Sequence, residues 1–314
     1  MFRVPGIVLA SVVLLTTMVL LLFEANSALN RWADKRWRWG NDVESWNWKE
    51  ELCVITGGSR GIGAEVVKKL TSHGIRVAIL DVEAPLISPE DEGAKLAFFY
   101  RCDITSKDAV RKAGQAIRLQ HGSASILINN AGIGNANSIM EITPERLRSI
   151  FDINLLSHWY TVQEFLPDML TQRKGHIMST ASMAAFLGLA GMVDYSCTKA
   201  SLTAFHEGLI QELKHRYKCP EIKTTIVYPN WTKTRLVTAI EEGIRKVKHP
   251  IVEPAVVAEA MVQQIIHARS GQLILGPSIA ASVRGFPTWL QELIRDSMAQ
   301  VVTANATSAT KQGE

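Results

Sequence analysis

The sequence predicts an α/β chain built on a doubly wound parallel sheet, preceded by one apolar helix of membrane length. Three observations carry this expectation. Residues 4–23 contain no charge. The glycine-rich "GGSRGIG" at 57–63 stands straight after the apolar "LCVIT". From residue 50 onward, short apolar runs alternate with amphipathic stretches, as a repeated strand–helix unit requires. The 314 residues, 47% hydrophobic and 20% charged, supply enough apolar surface for a full core and exclude a disordered chain.

The uncharged run spans roughly 30 Å as a helix, the hydrocarbon thickness of a bilayer. Residues 1–24 are therefore read as a transmembrane anchor, with a cleaved signal peptide as the competing reading because "ANS" at 25–27 offers small residues for cleavage. The run is long for a signal core. Trp32, Trp37, Trp39, Trp46 and Trp48 follow it with Arg31, Lys35, Arg36 and Arg38, the composition of a membrane interface, so 25–49 is read as an interfacial linker. Arg3 alone precedes the span while four basic residues closely follow it, which directs the rest of the chain to the cytosol.

Candidate strands follow in order at 52–56, 75–80, 96–101, 125–128, 175–180, 222–228 and 272–275, with helical patterns at 61–72, 106–120, 144–172, 193–217 and 254–269. The strands are apolar throughout rather than alternating, which suits a sheet covered on both faces. Between the second and third strands "APLISPEDEG" holds two prolines, leaving room for a vestigial helix at best. The domain 50–276 is followed by an amphipathic extension at 277–302. There Trp289, Leu290, Leu293, Ile294 and Val301 fall on one face, for packing on the domain, a second membrane contact or a dimer surface. Residues 303–314, small and polar, are read as a disordered tail.

Net charge is +4 with no basic face interleaved with aromatics beyond the first fifty residues, so no nucleic-acid partner is expected. Cys53, Cys102, Cys197 and Cys219 lack paired spacing, which argues against a disulfide framework or a metal site and for buried thiols in a reducing compartment.

A strand, a glycine-rich turn and a helix start make a dinucleotide site, because glycines admit the backbone to a pyrophosphate whose charge then sits at the helix N-terminus. Gly57, Gly61 and Gly63 take those roles. Tyr195 and Lys199 in "YSCTK" lie four residues apart on one helical face, so an ammonium can stand beside a phenol. Lowering a phenol from about 10 to about 7 takes roughly 4 kcal/mol, which a nearby cation can supply. Ser182, thirteen residues upstream at a strand end, can bind a substrate oxygen, and Asn154 can hold a water or Lys199.

The ordered motifs "TGGSRGIG", "CDIT", "NNAG", Asn154, Ser182, "YSCTK" and "YPNWTKT" resemble those of the short-chain dehydrogenase/reductases over residues 50 to 275. The resemblance implies a single Rossmann-like domain with a seven-stranded parallel sheet and an NAD(P)-dependent alcohol/ketone reaction. It implies that Tyr195 is the acid/base, Lys199 lowers its pKa and binds the nicotinamide ribose, Ser182 orients the substrate oxygen, and Asn154 completes a proton relay. Cofactor contacts are implied for Gly57, Ser59, Arg60, Gly61, Ile62, Gly63, Asp81, Asp103, Asn130, Ala131, Gly132, Thr232 and Thr234, besides Tyr195 and Lys199. Asp103 would meet the adenine, 130–132 would line the cofactor and stabilise the sheet, and Thr232 and Thr234 would contact pyrophosphate and carboxamide.

One departure is Pro229-Asn230, where the family usually has Pro-Gly; asparagine tolerates positive φ, so the turn is expected to survive. Asn230 also opens the sequon N-W-T beside the cofactor, where a glycan would obstruct the site, in keeping with a cytosolic domain; a second sequon begins at Asn305. The anchor together with "DINLLSHWYTVQEFLPDML" and "GHIMSTAS" resembles the membrane-bound subgroup acting on retinoids, steroids and other lipophilic alcohols. This resemblance implies attachment to endoplasmic reticulum or lipid droplet, a substrate lid at 231–252 with Leu236, Val237, Ile240 and Ile244, and homodimerisation through 144–172 and 193–217. A catalytically idle NAD(P)-binding membrane scaffold is the alternative. Asp81, 24 residues after Gly57, favours NAD by accepting the ribose 2′-hydroxyl, whereas Arg60 could pair with the 2′-phosphate of NADP. NAD is expected if Arg60 pairs with Asp81 or faces solvent, and NADP is tolerated if Arg60 turns to the ribose and neutralises Asp81.

Overall fold

The structure, a computed structural model, describes residues 4–38, 42–86, 92–238, 240–246 and 248–303. Arg3, Trp39, Asn305 and the tail from 304 lie outside the described residues, as do 87–91 in the proline-containing connection. Two compact units divide at Asp42/Val43.

The first unit is a helix, α1 (Val4–Asp34), whose span Ala10–Asp34 is long and apolar enough to cross a membrane. Two of its hydroxyls are satisfied within the helix: Thr16 and Thr17 donate to the Val12 and Val13 carbonyls at 2.8 and 2.9 Å. In lipid such internal pairing is what a hydroxyl requires. Residues 25–34 of the expected linker continue this helix, and Trp32 meets Trp37 edge to face at 5.0 Å.

The second unit does not leave Trp46 and Trp48 for a membrane interface. Trp46 is buried, stacks on Trp48 at 5.0 Å, and lies under the Lys174 ammonium, 5.3 Å from the ring centroid. Both indoles pack on the sheet's core, so the sequence reading of all five tryptophans as interfacial fails for these two. Composition alone does not distinguish an indole facing headgroups from one facing a strand.

The sheet is built from β1 (Leu52–Thr56), β2 (Arg76–Asp81), β3 (Ala97–Arg101), β4 (Ile126–Asn129), β5 (His176–Thr180), β6 (Lys223–Pro229) and β7 (Gly271–Leu275). All pairs are parallel, in the order β3-β2-β1-β4-β5-β6-β7. The order reverses at β1, leaving a crevice between the C-terminal ends of β1 and β4, where open α/β sheets bind ligands.

Both faces are covered, which is why the strands read as continuous apolar runs. Leu52, Val54, Ala78, Leu80, Leu127 and Ile177 point to the layer of α3 (Lys107–His121) and α5 (Ser157–Gln172). Cys53, Ile55, Val77, Ile79, Ile126 and Ile128 point to α2 (Gly61–Ser72) and α9 (Pro254–Ile266). Three cysteines are buried as expected; Cys197 is exposed. Among its described residues, the β2–β3 connection carries a 3-10 stretch, Glu92–Leu96. The expected 144–172 helix is interrupted: α4 (Pro144–Phe151) runs into a π-helical turn at Asp152–Leu156 before α5. Such turns occur often at functional sites, and this one holds Asn154.

Candidate active site

The glycine-rich turn leaves β1 and enters α2, and each glycine has a distinct steric reason. Gly57 sits at φ +64°, where a Cβ would lie 2.8 Å from the Ala131 backbone. Gly61, at φ +55°, faces Thr234. A Cβ on Gly63 would come 2.1 Å from the Gly57 carbonyl, so the turn and helix can meet only without it. The N-cap residue of α2, Arg60, makes no side-chain capping bond, and the helix N-terminus opens on a cavity of about 790 Å³. A backbone cradle shaped by absent Cβ atoms at a helix N-terminus fits a pyrophosphate.

Asn130 ties the cradle to β4: its Nδ2 donates to the Gly57 carbonyl at 3.0 Å and to the Thr56 carbonyl at 3.3 Å. The Thr56 hydroxyl accepts from the Asn130 and Ala131 N–H groups, both at 3.1 Å. Gly57, Arg60, Gly61, Ile62, Asp81 and Asp103 line the cavity, as do Asn130, Ala131, Gly132, Thr232 and Thr234. Ser59 and Gly63 do not. Ser59 is buried behind the wall, where its N–H donates to Asp81 Oδ2 at 3.1 Å and its hydroxyl to the Glu83 carbonyl at 2.6 Å. Arg60 does not pair with Asp81: its guanidinium stays exposed to solvent, as one of the expected courses had it, and pairs there with Glu83, two residues beyond the end of β2.

At the other end of the cavity stand Ser182, Tyr195 and Lys199. Ser182 ends the segment after β5, and its Oγ accepts from the Ala184 N–H at 3.2 Å. Tyr195 and Lys199 share one face of α6 (Val193–Gln211), both buried. The Tyr195 hydroxyl hydrogen-bonds Ser182, which pulls the phenol down, yet burial outweighs this and holds it above its ordinary value. That differs from the expected lowering by Lys199, because the ammonium lies 5.6 Å from the phenol ring centroid and donates at 2.7 Å to the Thr180 carbonyl. Burial brings Lys199 itself down to about 8.

Asn154 stands behind the wall rather than on it. Its Oδ1 accepts from the Ile133 N–H at 2.8 Å, and its Nδ2 donates to the Ile133 carbonyl at 2.9 Å and Thr198 Oγ1 at 3.3 Å. It pins the segment after β4 at Ile133. Gly132 is the near neighbour it shares with Lys199: a Cβ there would meet Asn154 Oδ1 at 3.4 Å and Lys199 Nζ at 3.6 Å.

Asn230 lines the cavity without positive φ; the turn survives because its N–H donates to the Leu275 carbonyl at 3.1 Å and its carbonyl accepts from Thr232 Oγ1 at 2.8 Å. Of the expected lid residues, Leu236 and Val237 line the cavity, while Ile240 and Ile244 are buried beside Val301. The lid carries α7 (Arg235–Thr238) and α8 (Glu241–Lys246). The C-terminal α10 (Thr288–Thr303) divides its apolar residues: Val301 is buried, Ile294 lines the cavity, and Trp289 and Leu293 are exposed. Ile279, Val283 and Met298, which also line the cavity from this extension, carry no local signal that sequence reasoning could use.

A family model described as short chain dehydrogenase matches residues 51–245. The chain is 40% identical over 204 residues to Dehydrogenase RED2 of Cochliobolus heterostrophus, covering 64% of this chain and 76% of that one. It is 30% identical over 224 residues to Epidermal retinol dehydrogenase 2 of Homo sapiens, covering 70% and 72% respectively. Among solved structures, the ligand-free aldohexose dehydrogenase of Thermoplasma acidophilum superposes with a TM-score of 0.62 at 22% identity, covering 76% of this chain and 96% of that one. That structural likeness concerns the fold.

Proposed function

This chain belongs to the short-chain dehydrogenase/reductase family and is an NAD(P)-dependent oxidoreductase, and from that premise we propose that it interconverts a lipophilic alcohol and its aldehyde or ketone at a membrane. The observation that carries the reading is the junction of two surfaces in one cavity. Ser182, Tyr195 and Lys199 stand where the glycine cradle gives way to an apolar region lined by Leu187, Leu189, Trp231, Leu236 and Met298. An apolar wall with a few convergent polar groups suits a substrate of the retinoid, steroid or fatty-alcohol class.

The nicotinamide, when bound, supplies the hydride acceptor or donor. In reduction Tyr195 Oη gives its phenolic proton to the carbonyl oxygen; in oxidation the phenol first passes its own proton toward solvent along Lys199, and the phenolate then takes the alcohol proton. Ser182, already hydrogen-bonded to Tyr195, holds the substrate oxygen in line with that proton. Lys199 offers a cation to the phenolate and, with the Asn154-pinned segment, a route for the proton to solvent. Gly57, Gly61 and Gly63 shape the pyrophosphate site, Asp81 receives the ribose, and the carboxylate at that position favours NAD.

Helix α1 serves as the membrane anchor, with the second unit in the cytosol at the endoplasmic reticulum or lipid droplet, and Leu156 and Trp159, exposed on the 144–172 stretch, offer apolar surface for a homodimer. Protease accessibility in intact microsomes tests the placement; a protected second unit overturns it. For activity, the detergent-solubilised chain is incubated with retinoids, steroids and fatty alcohols under NAD and NADP in turn. Nicotinamide turnover with at least one class is expected, and none across the panel favours an idle nucleotide-binding scaffold.

A further inference from the structure

Asp81 is bracketed. Ser59 donates its backbone N–H to Oδ2 at 3.1 Å, and Glu83 donates its own to Oδ1 at 3.3 Å. Each carboxylate oxygen keeps a lone pair for a ribose hydroxyl. The residues next to these donors carry opposite charges: Arg60 follows Ser59, and Glu83 is itself the second donor. The Arg60 guanidinium and the Glu83 carboxylate pair across the Asp81 position. A second guanidinium, Arg235 from the lid, reaches the other Glu83 oxygen at 4.0 Å. All four charged side chains line the same cavity.

We propose that Glu83 determines cofactor choice, by holding Arg60, and in part Arg235, away from the ribose 2′ position and adding a second negative charge there. The proposal deepens the reading that the site favours NAD and rests on it. Two carboxylates and two guanidinium groups sum to no net charge, so a neutral 2′-hydroxyl meets a balanced site. A 2′-phosphate brings a charge of about −1.5 to −2 into it and must draw Arg60 off Glu83. Without the Glu83 charge the same site holds two cations against one carboxylate, and the arginine fork suits a phosphate. Glu83 and Arg60 side chains are about half exposed, so the pair itself is weak, and the discrimination comes from the charge Glu83 sets beside the phosphate.

The test measures NAD and NADP affinity of the detergent-solubilised full chain by titration, with no alcohol present, in wild type, Glu83→Gln and Glu83→Gln/Arg60→Gln. The wild type is expected to bind NAD more tightly. Glu83→Gln should tighten NADP about tenfold while leaving NAD within about twofold, and the double variant should lose that gain. If Glu83→Gln leaves the ratio of the two affinities unchanged in a wild type that prefers NAD, the role of Glu83 falls and the NAD reading stands. If the wild type already binds NADP as tightly as NAD, both fall. A gain that survives in the double variant removes Arg60 from the account.

Discussion

Lys199 should make the protein less stable at neutral pH, and its replacement by methionine should show this. The ammonium is buried, and burial lowers its pKa from 10.5 to about 8. A lysine whose folded value lies below its unfolded one costs stability wherever the folded group is charged. The cost is full below about pH 8 and fades as pH rises toward 10.5, because the unfolded chain holds the extra proton in that window. At pH 7 a shift of this size is worth about 3 kcal/mol. Lys199→Met removes that cost but leaves the Thr180 carbonyl, which now accepts the ammonium at 2.7 Å, without its donor. The orphaned acceptor costs about 1–3 kcal/mol at either pH, so the variant gains about 0–2 kcal/mol at pH 7 and loses about 0–2 kcal/mol at pH 10, a swing of about 2 kcal/mol relative to wild type. For a domain of this size that swing is a relative shift of about 4–8 °C in midpoint between the two pH values. Thermal unfolding of detergent-solubilised wild type and variant at pH 7 and pH 10 reads the difference directly, and other titrating groups cancel. A variant less stable than wild type at both pH values, by the same amount, refutes the reasoning, since the lysine would then be carrying no buried charge. Turnover should be lost regardless, a trade of stability for activity.

Three other outcomes follow from the same geometry. Gly63→Ala places a Cβ 2.1 Å from the Gly57 carbonyl and 2.7 Å from Asn130 Nδ2, so it should cost about 1–3 kcal/mol of stability and weaken nucleotide binding about tenfold or more in a fluorescence titration. His158 is buried, bonded to Ser179 Oγ at 3.3 Å, and held down to about 3 by burial and the nearby Lys199 charge. Its depressed value costs stability as pH falls from 6.5 toward 3, so His158→Gln should flatten the acid limb of a stability–pH curve by about one proton. Met298→Trp should fill the apolar end of the cavity, raising KM for the bulkiest alcohols while nucleotide affinity stays unchanged.

The sheet was legible because each parallel strand is buried on both faces and therefore reads as a solid apolar run between glycine, proline and polar punctuation. The cradle was legible for a local reason: its glycines, its strand and its helix are contiguous. Tyr195 and Lys199 were visible as one helical face, and Ser182 as the polar residue at a strand end. What escaped depends on contacts between distant segments. Glu83 stands in an unremarked connection and gains meaning only when Arg60 folds against it. The acceptor for Lys199 is a backbone carbonyl, Thr180, and backbone groups leave no mark in a sequence. Trp46 and Trp48 carry the composition of a headgroup layer and the placement of a core. The C-terminal helix shows one apolar face in projection, yet the fold spends Val301 on the interior, Ile294 on the cavity and Trp289 on solvent.

Tyr195 is where these elements converge: a buried phenol hydrogen-bonded to Ser182 at the end of a cavity that begins at the glycine turn. The most direct measurement compares wild type with Tyr195→Phe in two readouts, nicotinamide turnover with a lipophilic alcohol that the wild type oxidises and equilibrium binding of the dinucleotide. The account predicts loss of turnover by about a thousandfold or more with nucleotide affinity unchanged within about twofold. Retained turnover in the variant would contradict it.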